Sequence, residues 1–356
     1  MPWGPNPFIL AAGVFRELVR EIRRVWMSGS PLYLGVDVGG TNIKFGVVDD
    51  DGQSLVESSI PTHQDRGGAD AVARMAAEID DLLQRGKVSR EQVRALGLAT
   101  PGTMNLKTGM LLSPPNLPAW SNFPIRDDLA AATRLPVHFA NDATAAGFGE
   151  YWVGSGSQYP SMVLLTLGTG IGAGIILDGK TIDGEHSHGS ECGHNLIDIA
   201  EDARICSCGQ PGHLEAYASA KALIRRAKEQ LQETESSIHQ RLGQGDELTP
   251  LLIAEEAEAG DATARALVME VAHYLAIGVV SLAHTLDPAA IILGGAMTFG
   301  AGQSELGQAF LAAIKSGFTR RTFPVLAEKI IIDFAGLGGD AGYIGAAGMA
   351  RAHFGS

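Results

Sequence analysis

Apolar and polar positions follow two rhythms along this chain, and the points where one yields to the other mark its elements. Residues 32–38 (LYLGVDV) and 43–48 (IKFGVV) are short apolar runs separated by Gly39-Gly40-Thr41-Asn42, the composition of a β-hairpin. Residues 69–85 instead place apolar side chains at helical spacing, and 93–99 (VRALGLA) has the pattern of a buried strand stopping at Thr100-Pro101-Gly102. A Pro/Asn-rich loop over 113–124 leads to a short strand at 136–140, and a helix over 142–152 opens directly after Asn141-Asp142. A second hairpin, 162–167 with 173–177, wraps around Gly168-Thr169-Gly170-Ile171-Gly172. Residues 183–215 follow neither rhythm and are rich in Gly, His and Cys. Helical spacing returns over 213–232 and 261–285; strands follow at 289–293, with Gly294-Gly295 behind, and at 329–333. Gly338-Gly339-Asp340 then precedes a last helix ending near 352.

Two strand–glycine turn–strand units, each followed by helices, predict two similar α/β lobes and no fixed-period repeat. The boundaries expected are 32–142 plus 338–356 for a small lobe and 143–337 for a large one. Residues 1–31 are an extension. Within it, 8–26 has the spacing of an amphipathic helix, with Phe8, Phe15, Leu18, Ile22 and Trp26 apolar and arginines interleaved. A membrane-surface or partner helix, a targeting peptide, and a loosely attached tail ahead of a start at Met27 all fit that pattern, the last being preferred.

Composition narrows the class. A length of 356 residues suits two domains, and 45% hydrophobic with 19% charged residues is that of a globular enzyme. A formal net charge of −13 disfavours nucleic acid as a partner. No apolar run is read as reaching a membrane span, so no membrane partner is expected. Only three cysteines occur, Cys192, Cys206 and Cys208, clustered beside histidines. That count points to a metal site in a reducing, cytoplasmic compartment rather than to a disulfide scaffold.

The glycine turns suggest chemistry. No G-x-x-x-x-G-K-[ST] is present, and the Gly168–Gly174 run enters a strand rather than a helix, so neither a P-loop nor a dinucleotide fold fits. Two hairpin turns facing each other across a cleft would present backbone N–H groups to the phosphates of ATP. The first spans Asp37, Gly39, Gly40, Thr41, Asn42 and Lys44; the second spans Gly168, Thr169, Gly170 and Gly172. Thr41 and Thr169 would add hydroxyls, and Asp37 would face Mg²⁺ through water. Each turn taken alone is equally a simple tight hairpin. Likewise, Asn141-Asp142 ahead of a helix is ordinarily an N-cap.

Nine motifs in order change that balance: LGVDVGGTNIKFGVVD, ATPG, PNLPAW, NDATAAGFGE, LTLGTGIGAGII, ECGH, CSCGQPGHLEAYAS, LDPAAIILGGA and GGDAGYIGAA. Over about 32–352 the chain resembles the ROK family of repressors and sugar kinases, and within it the bacterial glucokinases most. The resemblance implies an actin-like, ribonuclease-H-type fold with an interlobe active site. It places the general base at Asp142, sugar contacts at Gly102, Asn141, Asp142, Glu191, His194 and Glu215, and an adenine–ribose border at Gly294 and Gly295. It also implies a structural Zn²⁺ held by His194, Cys206, Cys208 and His213. His213 departs from the family's C-x-C-G-x-x-G-C pattern, which has Cys there. Histidine is an ordinary zinc ligand, so binding is expected to survive. Cys192 is expected to pack inside, and the 183–213 loop to have little besides zinc to order it. Zinc on one nitrogen of His194 would leave the other N–H to meet a sugar hydroxyl.

The activity implied is transfer of the ATP γ-phosphoryl to the 6-hydroxyl of glucose, by a homo-oligomer, dimer or tetramer. Thr103 after Gly102, where N-acetylmannosamine kinases carry Arg, and Pro115–Trp120 favour glucose. Another hexose (an N-acetylhexosamine, mannose or fructose), polyphosphate as donor, and a sugar-responsive regulator are the alternatives. Regulators of the family carry a winged-helix domain ahead of the first loop, for which about 31 residues are too few.

Overall fold

The structure is a computed structural model that describes residues 30–355; the helix expected over 8–26 lies outside the described residues. β1 (Leu32–Val38) and β2 (Asn42–Val48) pair antiparallel, with Val36 opposite Phe45 and Asp37 opposite Lys44. β3 (Ser54–Pro61) adds outside β2 and alternates exposed and half-buried positions, as an edge strand does. Helix α1 (Gly67–Gly86) buries Val72, Met75, Ile79 and Leu82 at helical spacing. β4 (Val93–Thr100) returns parallel to β1. A small ribbon of β5 (Thr103–Asn105) and β6 (Met110–Ser113) and helix α2 (Ile125–Thr133) precede β7 (Val137–Asn141), which lies parallel to β4.

Helix α3 (Asp142–Trp152) leads to the second sheet, made of β8 (Ser161–Leu167), β9 (Ile171–Leu177), β10 (Lys180–Thr181), β11 (Ala290–Gly294) and β12 (Ile331–Phe334). The first sheet has the order β3-β2-β1-β4-β7 and the second β10-β9-β8-β11-β12. In both, an antiparallel hairpin sits beside two parallel strands, so the lobes share one topology. Between β10 and β11 come α4 (Glu215–Ala218), α5 (Ala220–Gln230) and α6 (Ala262–Leu286), with two further helices between α5 and α6. α7 (Glu305–Thr319) follows β11, and α8 (Ala341–Phe354) closes the fold.

The helical stretch expected over 213–232 is two helices. It breaks at Ser219, whose hydroxyl accepts from the Ala222 N–H (3.2 Å) and caps α5. One helix, α6, does have the length and mean hydropathy to cross a membrane, contrary to expectation. Its Leu267, Val268, Val271, Leu275 and Val279 are buried in the second lobe's core against Leu165, Leu223 and Phe310, which accounts for its composition.

α8 is appended to the first sheet and to α3 through glycines. A Cβ on Gly35 or Gly97 would stand 1.8 Å from the carbonyl oxygens of Tyr343 and Ala346, and one on Gly345 would stand 1.7 Å from that of Ala145. Only glycine permits so close an approach of helix to strand. Ala99, Ala140, Ala145 and Ala346 fill the rest of this seam. The sheet, α3 and α8 therefore pack almost backbone to backbone, fixing the junction between the two lobes.

Candidate active site

Asn141 ends β7 and Asp142 begins α3, so both side chains stand where a strand turns rigidly into a helix. The Asn141 Oδ1 accepts from the N–H groups of Ala143 (2.9 Å) and Thr144 (3.2 Å), an N-cap that leaves its amide NH₂ for other partners. Asp142 Oδ1 accepts from the Ala143 N–H (2.8 Å). Burial and the nearby Glu191 carboxylate push the Asp142 pKa up to about 6, although this hydrogen bond opposes the shift. Burial and the Asp142 charge likewise raise Asp37, to about 7, against the pull of Lys44.

Two neighbouring cavities meet at this junction. The larger, of about 510 Å³, is lined by Gly102, Asn141, Asp142, the Gly168–Ala173 turn, Glu191, His194, Cys208, Glu215 and Gly295. The smaller, of about 250 Å³, is lined by Asp37, Gly39, Asp142, Gly294, Gly295, Gly338, Gly339, Ala341 and Gly342. Asp142, Ala143, Thr166 and Gly295 belong to both. Gly40, Thr41, Asn42 and Lys44 reach neither wall: the first three are exposed at the hairpin tip. The Lys44 ammonium donates to the Gly339 carbonyl (2.6 Å) and lies 3.6 Å from Asp340. The turn itself is held from behind by Thr62, which donates its hydroxyl to Gly39 O (2.7 Å) and its N–H to Thr41 O (2.8 Å).

The second turn is anchored differently. Glu215 Oε2 accepts from the Ile171 N–H (3.0 Å), and a Cβ on Gly170 would stand 2.3 Å from that oxygen. Oε1 accepts from the Ser207 hydroxyl. Glu215 thus ties the β8–β9 turn to the Cys206–Cys208 loop. In that loop one donor atom each from His194, Cys206, Cys208 and His213 lies within 4.8 Å of all the others. His194 Nδ1 stands 3.6 Å from Cys206 Sγ and His213 Nδ1 3.2 Å from Cys208 Sγ, while His194 Nε2 faces Glu191 at 3.9 Å. Cys192 is buried outside this cluster, and burial raises its thiol to about 11.

The loop has more than a metal to order it, contrary to the expectation from composition. The Tyr217 hydroxyl accepts from the Arg204 N–H (2.8 Å) and donates to Asp198, and Arg204 forms two hydrogen bonds to Glu229. Behind them the buried Arg226 pairs with Glu270 (2.8 Å) and lies over the Tyr274 ring. Several cleft residues go beyond those foreseen. Ser207 stands between two candidate ligands and Asn116 inside PNLPAW, both visible signals; Lys221 is an inconspicuous surface position of a helix. Glu150, on α3, is fully buried and accepts from Ser155 N and Oγ (both 2.9 Å), Gly336 N (3.1 Å) and Leu337 N (2.7 Å), fastening the wall of the smaller cavity.

The ROK family description matches residues 33–353. A glucokinase of Halalkalibacterium halodurans is 36% identical over 314 residues, 88% of this chain and 93% of that protein. A ROK family glucokinase from Streptomyces griseus, solved in complex with glucose and AMPPNP, superposes with a TM-score of 0.74 at 33% identity, covering 90% of this chain and 99% of that one. A ROK hexokinase from Thermus thermophilus gives 0.76 at 31%, covering 90% and 98%. The two lobes have the actin-like ATPase fold, and the chain belongs to the ROK family.

Proposed function

We propose that the protein is an ATP-dependent hexokinase that phosphorylates glucose at its 6-hydroxyl, with Asp142 as general base. The observation that carries this reading is that Asp142 stands at the meeting point of the two cavities. A nucleoside bordering the smaller cavity, with its phosphates reaching the Gly168–Gly172 turn, and a sugar in the larger cavity would meet at that carboxylate. Transfer of a γ-phosphoryl needs a carboxylate there to orient the acceptor hydroxyl and take its proton. A base raised to about 6 is ionised at neutral pH yet basic enough to accept a proton. The similar glucokinases and hexokinase supply the substrate class, and the glucose-bound relative favours glucose.

The remaining residues take roles from their positions. Glu191, His194 Nε2, the free amide of Asn141 and the backbone at Gly102 face the larger cavity and would share the sugar hydroxyls. The Gly168–Gly172 turn would hold donor phosphates, Gly294 and Gly295 would border the nucleoside, and Glu215 would fix the turn that both substrates touch. Gly39 would meet the donor in the smaller cavity, whereas Gly40, Thr41, Asn42 and Lys44 would come into play only on closure of the lobes. Asp37, in the smaller cavity, would face through water a Mg²⁺ ion, which neutralises phosphate charge when bound. Two imidazole nitrogens and two thiols converging within 4.8 Å suit a tetrahedral Zn²⁺, which would order the loop rather than activate water. Three unpaired cysteines suit the cytoplasm, and a homo-oligomer is the assembly proposed.

The test is a panel of hexoses with ATP and Mg²⁺ in a coupled nucleotide-release assay. Turnover highest on glucose is expected. Turnover on another hexose would reassign the acceptor, and none on any would overturn the kinase reading.

A further inference from the structure

Transferring a phosphoryl group in this cleft presents an electrostatic problem. The larger cavity is lined by four carboxylates, Asp142, Asp183, Glu191 and Glu215, and the smaller adds Asp37 and Glu150. A nucleoside triphosphate brings further negative charge into the same space, where low dielectric strengthens repulsion. Backbone N–H groups and a magnesium ion offset part of that charge. Among the residues lining either cavity there is a single lysine or arginine, Lys221.

Its position is built rather than incidental. The first N–H of α5, on Ala220, donates to the Gly168 carbonyl at 2.9 Å, joining the start of the helix to the β8–β9 turn. The Ser219 cap fixes the direction in which α5 leaves. Lys221, the next residue, lines the larger cavity together with Gly168–Gly170, Ser207 and Cys208. The surrounding cations are engaged elsewhere. Arg204 binds Glu229, Arg226 pairs with Glu270, Arg225 donates to the Ala216 carbonyl (3.1 Å), and Lys44 donates to Gly339. Among the described residues, Lys221 has neither an ionic nor a hydrogen-bonding partner.

We propose that Lys221 binds the phosphate tail of the donor, steering it onto the Gly168–Gly170 turn. Lysine suits this role because its ammonium is a compact charge on a flexible stem that follows the phosphates without demanding one geometry. The inference rests on the kinase reading for its ligand, but its test is separable from that reading.

Lys221→Met and Lys221→Arg are compared with the unmodified protein, using steady-state kinetics and inhibition by inorganic tripolyphosphate, which has the phosphates without the nucleoside. Because Lys221 is exposed, neither change threatens folding. Lys221→Met is expected to raise KM for ATP by roughly tenfold, to leave KM for the sugar within about twofold, and to weaken tripolyphosphate inhibition in proportion. Lys221→Arg is expected to restore most of the loss. An unchanged KM for ATP overturns the proposal, as does a raised KM for ATP with unchanged tripolyphosphate inhibition, which would move the contact to the nucleoside. If the unmodified protein phosphorylates no hexose, the kinase reading fails by itself. Calorimetric binding of tripolyphosphate then decides the role of Lys221: weaker binding to Lys221→Met upholds a phosphate contact, and equal binding removes it.

Discussion

The two lobes repeat one strand order, yet they treat their glycine turns differently. In the first, a single 3-10 turn (Gln64–Arg66) links β3 to α1, and the β1–β2 turn is braced from behind by Thr62. In the second, a long insertion follows β10 before the first helix, and the β8–β9 turn is gripped from the front by Glu215 and the start of α5. That insertion also carries Glu191, His194 and the His/Cys cluster. The shared topology thus provides two glycine turns of one kind, and in the function proposed above the groups that would distinguish a sugar come from what only one lobe has added. Loops supported by a rigid scaffold commonly carry function in this way.

That division can be broken most forcefully at the junction between the lobes. Asp142→Asn keeps the shape of the α3 start but removes the base, so turnover is expected to fall by about 10²–10⁴-fold. Sugar affinity, measured by calorimetry, should change little. Near-normal turnover would show that neither lobe supplies its base at this point. As the proposed base, the same carboxylate is expected to set the pH response of the unmodified protein. Its raised pKa means it is protonated, and inactive as a base, below about 6, so kcat/KM should fall as pH drops through that value. A profile flat to pH 5 would exclude it.

A smaller effect separates scaffold from site. Gly97→Ala drives a methyl group against the Ala346 carbonyl in the seam of α8, and overpacking of this kind costs about 1–3 kcal/mol. Denaturant unfolding should show that loss, with KM for the sugar unaltered in the protein that remains folded. The smallest effect is expected in the insertion. Removing metal with a chelator should raise sugar KM several-fold (roughly 1 kcal/mol), and metal analysis of the untreated protein should give one zinc per chain. The Tyr217, Arg204 and Arg226 contacts are the reason a partial loss is expected. Complete unfolding on chelation would mean that zinc, not this network, orders the loop.

What the sequence discloses and what it conceals follow from how local the cause is. Both hairpins, the β7–α3 junction and the four candidate ligands are each specified by neighbouring residues, and their limits fall within a few positions of expectation. β3 is hidden because SLVESSIP is half polar, as an outer strand must be, and α7 because its Ser304 cap and apolar stripe follow a glycine-rich loop that obscures its start. The break at Ser219 is a single capping hydroxyl within continuous helical spacing. Glu150 and Lys221 look alike in the sequence, charged residues on helices. One becomes a buried acceptor of four hydrogen bonds and the other the single lysine or arginine among the described residues lining the two cavities, because of segments remote in the chain. No periodicity encodes such contacts.

The seam of α8 also bears on how the chain comes to be folded. Strands β1 and β4 are completed within the first third of the polypeptide, yet the helix that covers them is made only after the whole second lobe. Arg351 reaches Asp50 across 301 positions, and Arg94 reaches the Phe354 carbonyl across 260. During synthesis the first sheet therefore emerges with one apolar face uncovered, and it waits in that state while the other lobe is built. Contacts so distant in sequence form late and slowly, and exposed sheet faces invite association in the interval. The glycines that permit such close packing in the finished molecule thus leave its earliest part the last to be sealed.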